Sequence, residues 1–355
     1  MSPSLANVVP VSSRDPAIAQ RLRAQMLSGA PASSVVAVVE RLLAVQAQDA
    51  RGARLAIRVR SKGLTTADVD RALTDDRSVV ITTLNRGTLH LVRSEDYWWL
   101  HPFTTPPVFT ANALRLKQEG VSPAAADRGV TAVVKALTRD GPLTRSQLRE
   151  HVQKARVPVA GQALVHVLLL ASLRGHTVRG PMVGGDHAHV LTRDWLGAPP
   201  PAMERDVALG LLARRYLTAH GPATDRDLAR WAKLPLRDAR RGLTEIGAEL
   251  VEATDATVDL AGRRAVRALP PPKLLGQFDP LLLGWVSREE VLGDRQDVVT
   301  VNGIFRAIAL IDGRAVATWG APGGTVQLEP FRPLTAAEQR ALDVEASDVT
   351  RFLGL

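Results

Sequence analysis

Val79-Val80-Ile81-Thr82-Thr83-Leu84, Asn85-Arg86-Gly87 and Thr88-Leu89-His90-Leu91-Val92 run consecutively in this chain. Two β-branched, apolar-rich runs about a short glycine turn read as a β-hairpin. The residues before it carry a helical period instead. Asp15-Pro16 reads as N-cap and first helical residue, Ile18, Leu22, Gln25 and Met26 supply the inward spacing, and Gly29 ends that helix. Ser33-Ser34 opens a second helix with Val35, Val38, Val39, Leu42 and Leu43 inward. Thr65 or Thr66 opens a third with Val69, Ala72 and Leu73 inward. Three helices followed by a hairpin is the order of a winged helix, a variant of the helix-turn-helix.

A weak internal repeat extends this reading. Thr138-Arg139-Asp140-Gly141-Pro142-Leu143-Thr144-Arg145-Ser146-Gln147-Leu148 resembles Thr218-Ala219-His220-Gly221-Pro222-Ala223-Thr224-Asp225-Arg226-Asp227-Leu228. Each has a Gly-Pro break, a threonine N-cap and a helix with Leu four residues on, and each follows an amphipathic helix. The accompanying hairpins are expected at Thr177 to Leu191 and Leu250 to Leu269. Beyond the stiff linker Pro270-Pro271-Pro272-Lys273, Val298 to Phe305 and Ala307 to Trp319 alternate like strands, with Asp312-Gly313 as a hairpin turn. Glu338 to Phe352 reads as a closing helix. The expected fold is mainly α with β wings (α+β). It places winged helices at residues 1–110, 111–200 and 201–270 and a β-rich, barrel-like cap at 271–355.

The bulk composition narrows the function. The 355 residues suit several modules rather than one core. With no cysteine, disulfides, thiolate metal sites and a cysteine nucleophile are excluded. No uninterrupted apolar run reaches the roughly 18 residues of a membrane span, and Met1-Ser2-Pro3-Ser4-Leu5 lacks the order of a signal peptide. The expectation is a cytoplasmic, monomeric protein without a membrane partner. Lys plus Arg is 45 against 36 acidic residues, a net charge of +9, and only six of the basic residues are lysines. A G+C-rich genome explains that ratio but not the net sign. The sign points to a polyanion, most often nucleic acid.

Leu43-Ala44-Val45-Gln46-Ala47-Gln48-Asp49 places two neutral amides one residue apart at the end of the second helix. Positions two apart on a continuous helix diverge, so both amides face one site only if the helix loosens, with Asp49-Ala50-Arg51-Gly52 as its stop. Amides donate and accept hydrogen bonds without titrating, which suits holding a water or a base edge. Read alone, the pair equally caps a helix end and meets solvent. Arg51, Arg54, Arg58 and Arg60 follow it as candidate phosphate clamps or as a solvated basic face. Arg86, Thr88 and His90 lie on the first wing, where Arg86 is a candidate phosphate contact and His90 packs or binds. His187 and His189 have the spacing of two strand ligands, but no third ligand is evident and no metal is expected. They read as a hairpin tip touching DNA or as an exposed turn. Asp279, between Phe278 and Pro280, reads as a buried base or as a tie between cap and winged helices.

Four segments in order carry a resemblance that runs from about residue 15 to 352. They are Leu43 to Asp49, Leu84 to Val92, Leu275-Gly276-Gln277-Phe278-Asp279-Pro280-Leu281-Leu282-Leu283 and Val301-Asn302-Gly303-Ile304-Phe305-Arg306. Through them the chain resembles the winged-helix DNA glycosylases of the AlkZ and AlkX (YcaQ-like) superfamily. That family's catalytic motif is Gln, an apolar residue and Gln in the AlkZ branch, with an acidic residue second in the AlkX branch. Gln46, Ala47 and Gln48 match the AlkZ form. The resemblance implies a monofunctional glycosylase with Gln46 and Gln48 catalytic and with no cofactor. It implies release of N7-alkylated purines from double-stranded DNA at the nucleoid, including bulky or crosslinked adducts in self-resistance to genotoxic antibiotics. Lyase chemistry needs an amine near the site, and only Lys62 is close in sequence. The rival reading is a non-catalytic winged-helix regulator, because fold alone does not give function.

Overall fold

The computed structural model describes residues 16–253, 256–264, 266 and 269–355. The expected N-cap Asp15, the leader and parts of the Leu250 to Leu269 hairpin lie outside them. Helices Pro16–Ala24, Val35–Leu42, Ala50–Arg58 and Thr66–Thr74 precede the hairpin of the first wing, to which a short strand between the second and third of them is added. Its strands are β1 (Val45–Gln46), β2 (Val79–Leu84) and β3 (Thr88–Arg93). The glutamine pair is therefore not at a helix end. Leu42 ends its helix, Leu43 turns with φ 65° while its side chain stays fully buried, and β1 pairs antiparallel to β3. Nor does Asp49 stop a helix. Its carboxylate accepts the Gly52 N–H and starts Ala50–Arg58, a helix absent from the sequence reading.

The second module contains helices Pro123–Asp140, Arg145–Lys154 and Ala163–Leu173 with strands β4 (Thr177–Val183) and β5 (Asp186–Leu191). The third contains Arg205–His220, Asp225–Ala232 and Leu236–Glu245 with β6 (Leu250–Glu252) and β7 (Val258–Leu260). The repeat rests on one local device. Thr144 with Gln147 and Thr224 with Asp227 form capping boxes, and Leu148 and Leu228 pack inward. The first two wings do not remain separate. Ile81 of β2 pairs with Arg179 of β4, giving one five-stranded sheet in the order β1-β3-β2-β4-β5.

The cap is a four-stranded sheet formed by β8 (Lys273–Leu275), β9 (Ile308–Ile311), β10 (Arg314–Gly320) and β11 (Gln327–Pro330). Helix Ala336–Leu353 closes it. Asp312 and Gly313, with φ 49° and 79°, make the expected tight hairpin turn between β9 and β10. Val298 to Phe305, expected as a strand, is instead a turn. Thr300 O accepts from the Gly303 N–H, Gly303 has φ 73°, and only Val299 and Phe305 bridge.

One buried ion pair fixes the cap to the modules. Both Arg60 terminal nitrogens donate to Asp279, at 2.8 and 2.7 Å, and neither side chain is exposed to solvent. The Arg60 Nε donates to Gln25 O, and Gln25 Nε2 donates to Ala219 O in the third module. Asp279 is thus a structural tie and not a base. Its approach needs glycine: a Cβ on Gly276 would lie 2.8 Å from Leu55 Cβ, and one on Gly52 would lie 2.4 Å from Gln277 O. Removing one partner of such a pair strands a buried charge, which typically costs about 3–5 kcal/mol. Asp279→Ala is expected to lose stability of that order in denaturant unfolding. Asp279→Leu combined with Arg60→Met should recover much of it, and equal losses in both variants would contradict the assignment.

Candidate functional site

Strand alternation sets the geometry of the amides. Val45 and Ala47 point into the core, which turns Gln46 and Gln48 to the opposite side. Gln46 is only 6% exposed and forms part of the floor of a cleft of about 760 Å³. Arg86 Nη2 donates to Gln46 Oε1 at 3.3 Å, and Arg86 Nη1 donates to Trp231 O at 3.1 Å. A guanidinium only donates, so the Gln46 carbonyl must face it and one lone pair of that oxygen is left over.

The cleft is cationic. Arg226, Arg230 and Lys233 line it from helix Asp225–Ala232 and its end, Arg288 lines it from the cap, and Arg86 from the first wing. No carboxylate lines it among the described residues. Burial, followed by Arg230 and Arg288, lowers the Arg86 pKa, yet an arginine stays charged in such surroundings. Arg288 also sits over the Phe305 ring, 4.9 Å from its centroid. Of these residues only Arg86 was singled out in the sequence. Arg226 and Arg230 are one helical turn apart after a threonine cap, a signal that was available, whereas nothing near Arg288 in the chain marks it.

The remaining wing residues divide. Thr88 lines the cleft, and its buried hydroxyl has no hydrogen-bond partner. His90 lies opposite Gln46 across β1 and β3, with Nδ1 at 2.9 Å from Thr88 O. Burial, then Arg86, push its pKa down to about 3, against a smaller upward pull from the Thr88 carbonyl. His90 is therefore neutral and supplies no acid. Gln48 is exposed and accepts the Leu89 N–H at 3.1 Å. It lines a second, smaller cavity of about 150 Å³ with Arg145, Arg179 and His189. The two amides thus flank one wing and do not share a single cavity.

Other candidates sit away from the cleft. Arg51 is exposed on its helix. Arg54 and Arg58 are not solvent-facing phosphate clamps, because the helical period carries them inward to carboxylates. Arg54 pairs with Asp70, while Arg58 pairs with Glu345 at 2.8 Å and Asp348 at 2.7 Å under the closing helix. His187 and His189 are buried on β5 and do not form an exposed tip, which belongs to Gly184-Gly185. His187 Nδ1 lies 3.1 Å from Gly180 O, and Arg179 Nη1 lies 2.6 Å from His189 Nε2. Among the described residues, no group of three or more His, Cys, Asp or Glu is placed to hold a metal. None of the described helices is long and apolar enough to cross a membrane.

Known proteins share this architecture. The family described as DNA glycosylase AlkZ-like matches residues 39–352. A Streptomyces sahachiroi protein named interstrand DNA cross-link repair glycosylase is 29% identical over 364 residues, covering 95% of each chain. The solved structure of the Streptomyces sahachiroi DNA glycosylase AlkZ has a TM-score of 0.78 and 27% identity, over 96% of both chains.

The buried histidines make stability depend on pH. Burial also pushes His220 down to about 3. An unfolded histidine protonates near pH 6.5, so below that value the unfolded chain binds more protons than the folded one. Stability is whole above that pH and falls as pH drops toward about 3, by about 1.4 kcal/mol per pH unit for each such histidine. Thermal unfolding from about pH 7.5 to 5 should show a falling midpoint. Replacing His220 by Gln is expected to flatten the slope, and an unchanged slope would contradict the reading.

Proposed function

This chain belongs to the AlkZ-like family of DNA glycosylases, and from that premise we propose that it hydrolyses the N-glycosidic bond of N7-alkylated purines in duplex DNA. The observation that carries the reading is Gln46, anchored by Arg86 at the floor of a cationic cleft that no carboxylate lines among the described residues. Cleaving this bond requires a leaving group and stabilisation of an oxocarbenium-like sugar. Alkylation at N7 makes the purine cationic, so it leaves neutral and needs no general acid. The remaining task is placing a water beneath the anomeric carbon. Gln46 Oε1 gives one lone pair to Arg86 and keeps another for a proton of that water. An amide is a poor base, so the proton shed once the water has bonded to the anomeric carbon passes to bulk water; the gain comes from positioning, and the lesion's own lability supplies the rest.

The five cations along the cleft suit the phosphates of both strands. A cleft of about 760 Å³ also suits a bulky or crosslinked adduct, which cannot be extruded singly into a tight base pocket. The Streptomyces sahachiroi relative is named for interstrand cross-link repair, and the same work on chromosomal DNA, in repair of or resistance to genotoxic natural products, is proposed for this chain. The enzyme acts as a monomer, each chain holding its own Gln46 and cationic walls.

Base release from a duplex carrying one N7-alkylguanine tests the reading, scored by alkaline cleavage against spontaneous depurination. The wild type should release base well above that control. Gln46→Ala should lose about 10²–10³-fold, the usual cost of removing one positioned polar group. Gln48→Ala should lose less, since Gln48 lines the smaller cavity and not the cleft that Gln46 lines. Wild-type release at the spontaneous rate for small and bulky adducts alike would leave a DNA-binding module. Arg230→Gln should weaken duplex binding and reduce the slope of log K against log salt by about one.

A further inference from the structure

The cavity beside Gln48 has a chemistry of its own. It lies where β2 and β4 meet at Ile81 and Arg179, walled on another side by helix Ala163–Leu173. Arg179 is half-buried and, among the described residues, contacts no carboxylate, although the Asp186 charge reaches it from a distance. Its Nη1 atom instead reaches His187 O at 3.2 Å and His189 Nε2 at 2.6 Å. The contact makes that nitrogen of His189 an acceptor, so the ring is neutral, in line with burial and the Arg179 charge lowering its pKa. Arg145 brings a second, exposed guanidinium from the first turn of its helix. Thr82 and Thr177 line the same cavity, are each 1% exposed, and have hydroxyls with no hydrogen-bond partner. The Gln48 carbonyl accepts the Leu89 N–H, which turns its amide hydrogens away from that strand and leaves them to donate. No carboxylate lines the cavity among the described residues.

A half-buried guanidinium that no carboxylate contacts, with Asp186 acting on it only at a distance, beside two buried hydroxyls that bond to nothing else, has the chemistry of an anion site. At about 150 Å³ it has room for a phosphate group and not for a duplex. We infer that Arg179, with Arg145 and the Thr82 and Thr177 hydroxyls, binds one backbone phosphodiester of the DNA beside the reacting nucleotide and so sets that strand's register against the glutamine pair. The second module's wing then joins the site through the β2–β4 junction. Arg179 is a positioning residue, not a catalytic one. This inference rests on the reading of the chain as an enzyme of duplex DNA.

The test pairs variants with single neutral methylphosphonates placed at successive positions around one N7-methylguanine in a synthetic duplex. Arg179→Gln should lower kcat/KM and duplex affinity about tenfold or more and reduce the salt slope by about one. Arg179→Lys should recover part of the loss. Arg145→Gln, at an exposed position that cannot disturb the core, should show a smaller loss of the same kind. At one methylphosphonate position, wild type and Arg179→Gln should become equal, because both lack the same contact. A loss that is identical on every methylphosphonate duplex with an unchanged salt slope would overturn the inference and leave Arg179 as a support for β5. Inorganic phosphate raising the melting temperature of the wild type but not of Arg179→Gln, with all methylphosphonates silent, would also overturn it, in favour of a free-anion site. Failure of the wild type to release base from the all-phosphodiester duplex would instead strike the proposed function, and the binding and salt measurements would still decide the site.

Discussion

The buried pair between Arg60 and Asp279 is the constraint on which the site depends. Two charges removed from water are tolerable only when their geometry is bidentate and their remaining hydrogen bonds are met, and Gln25 meets those of Arg60. The pair closes only if Leu275 to Asp279 lies against helix Ala50–Arg58, which is why glycine stands at both positions 52 and 276. That helix begins directly after Gln48, so its placement also sets β1. The same clamp brings the cap residues Arg288 and Phe305 over the first wing. Third-module contacts complete the frame: Trp285 Nε1 donates to His220 O, and Val286 N–H to the Asp227 carboxylate. Gln46 thus stands where the first module, the third module and the cap converge, although each part folds around its own local signals.

The electrostatics of the cleft explain why an amide suits this position. A carboxylate at residue 46 would be claimed by Arg86 as an ion pair and would draw in Arg230 and Arg288 as well. A neutral carbonyl accepts one hydrogen bond from Arg86 and keeps capacity for a water. The surrounding cations remain uncompensated and available to phosphate. His90, held neutral by burial and by Arg86, adds a packed wall opposite Gln46 without adding a titrating group.

Much of this fold is legible in the sequence because its signals are local. The β2–β3 hairpin is written in β-branched residues around Gly87, and the modular repeat in the threonine caps at 144 and 224. The closing helix is read in the same way, whereas of the hairpin expected over Leu250 to Leu269 the described strands are the short β6 and β7, which end at Leu260. By sequence Gln46 and Gln48 read as a helix end because Leu42 to Ala47 satisfies both periods: Leu42, Leu43 and Val45 continue a helical face, while Val45 and Ala47 alternate like a strand. The positive φ of Leu43 that decides between them leaves no mark in composition. Arg54 and Arg58 looked like solvent-facing cations because their carboxylate partners, Asp70, Glu345 and Asp348, are 16 to 290 residues away. Val298 to Phe305 alternates like a strand, yet Gly303 folds it into a turn. The cations that build the cleft with Gln46 come from the third module and the cap, and only folding brings them together.

On the proposed function, a non-titrating amide, in a cleft that no carboxylate lines among the described residues, positions the water that replaces the purine. The most direct measurement is the single-turnover excision rate from one N7-alkylguanine duplex, between about pH 6 and pH 8, after subtracting spontaneous depurination. A flat profile is expected, because Gln46 does not titrate and His90 stays neutral throughout that range. A limb or bell in the rate, with a midpoint inside that window and absent from duplex binding, would show a titrating group at the reacting centre and contradict the account.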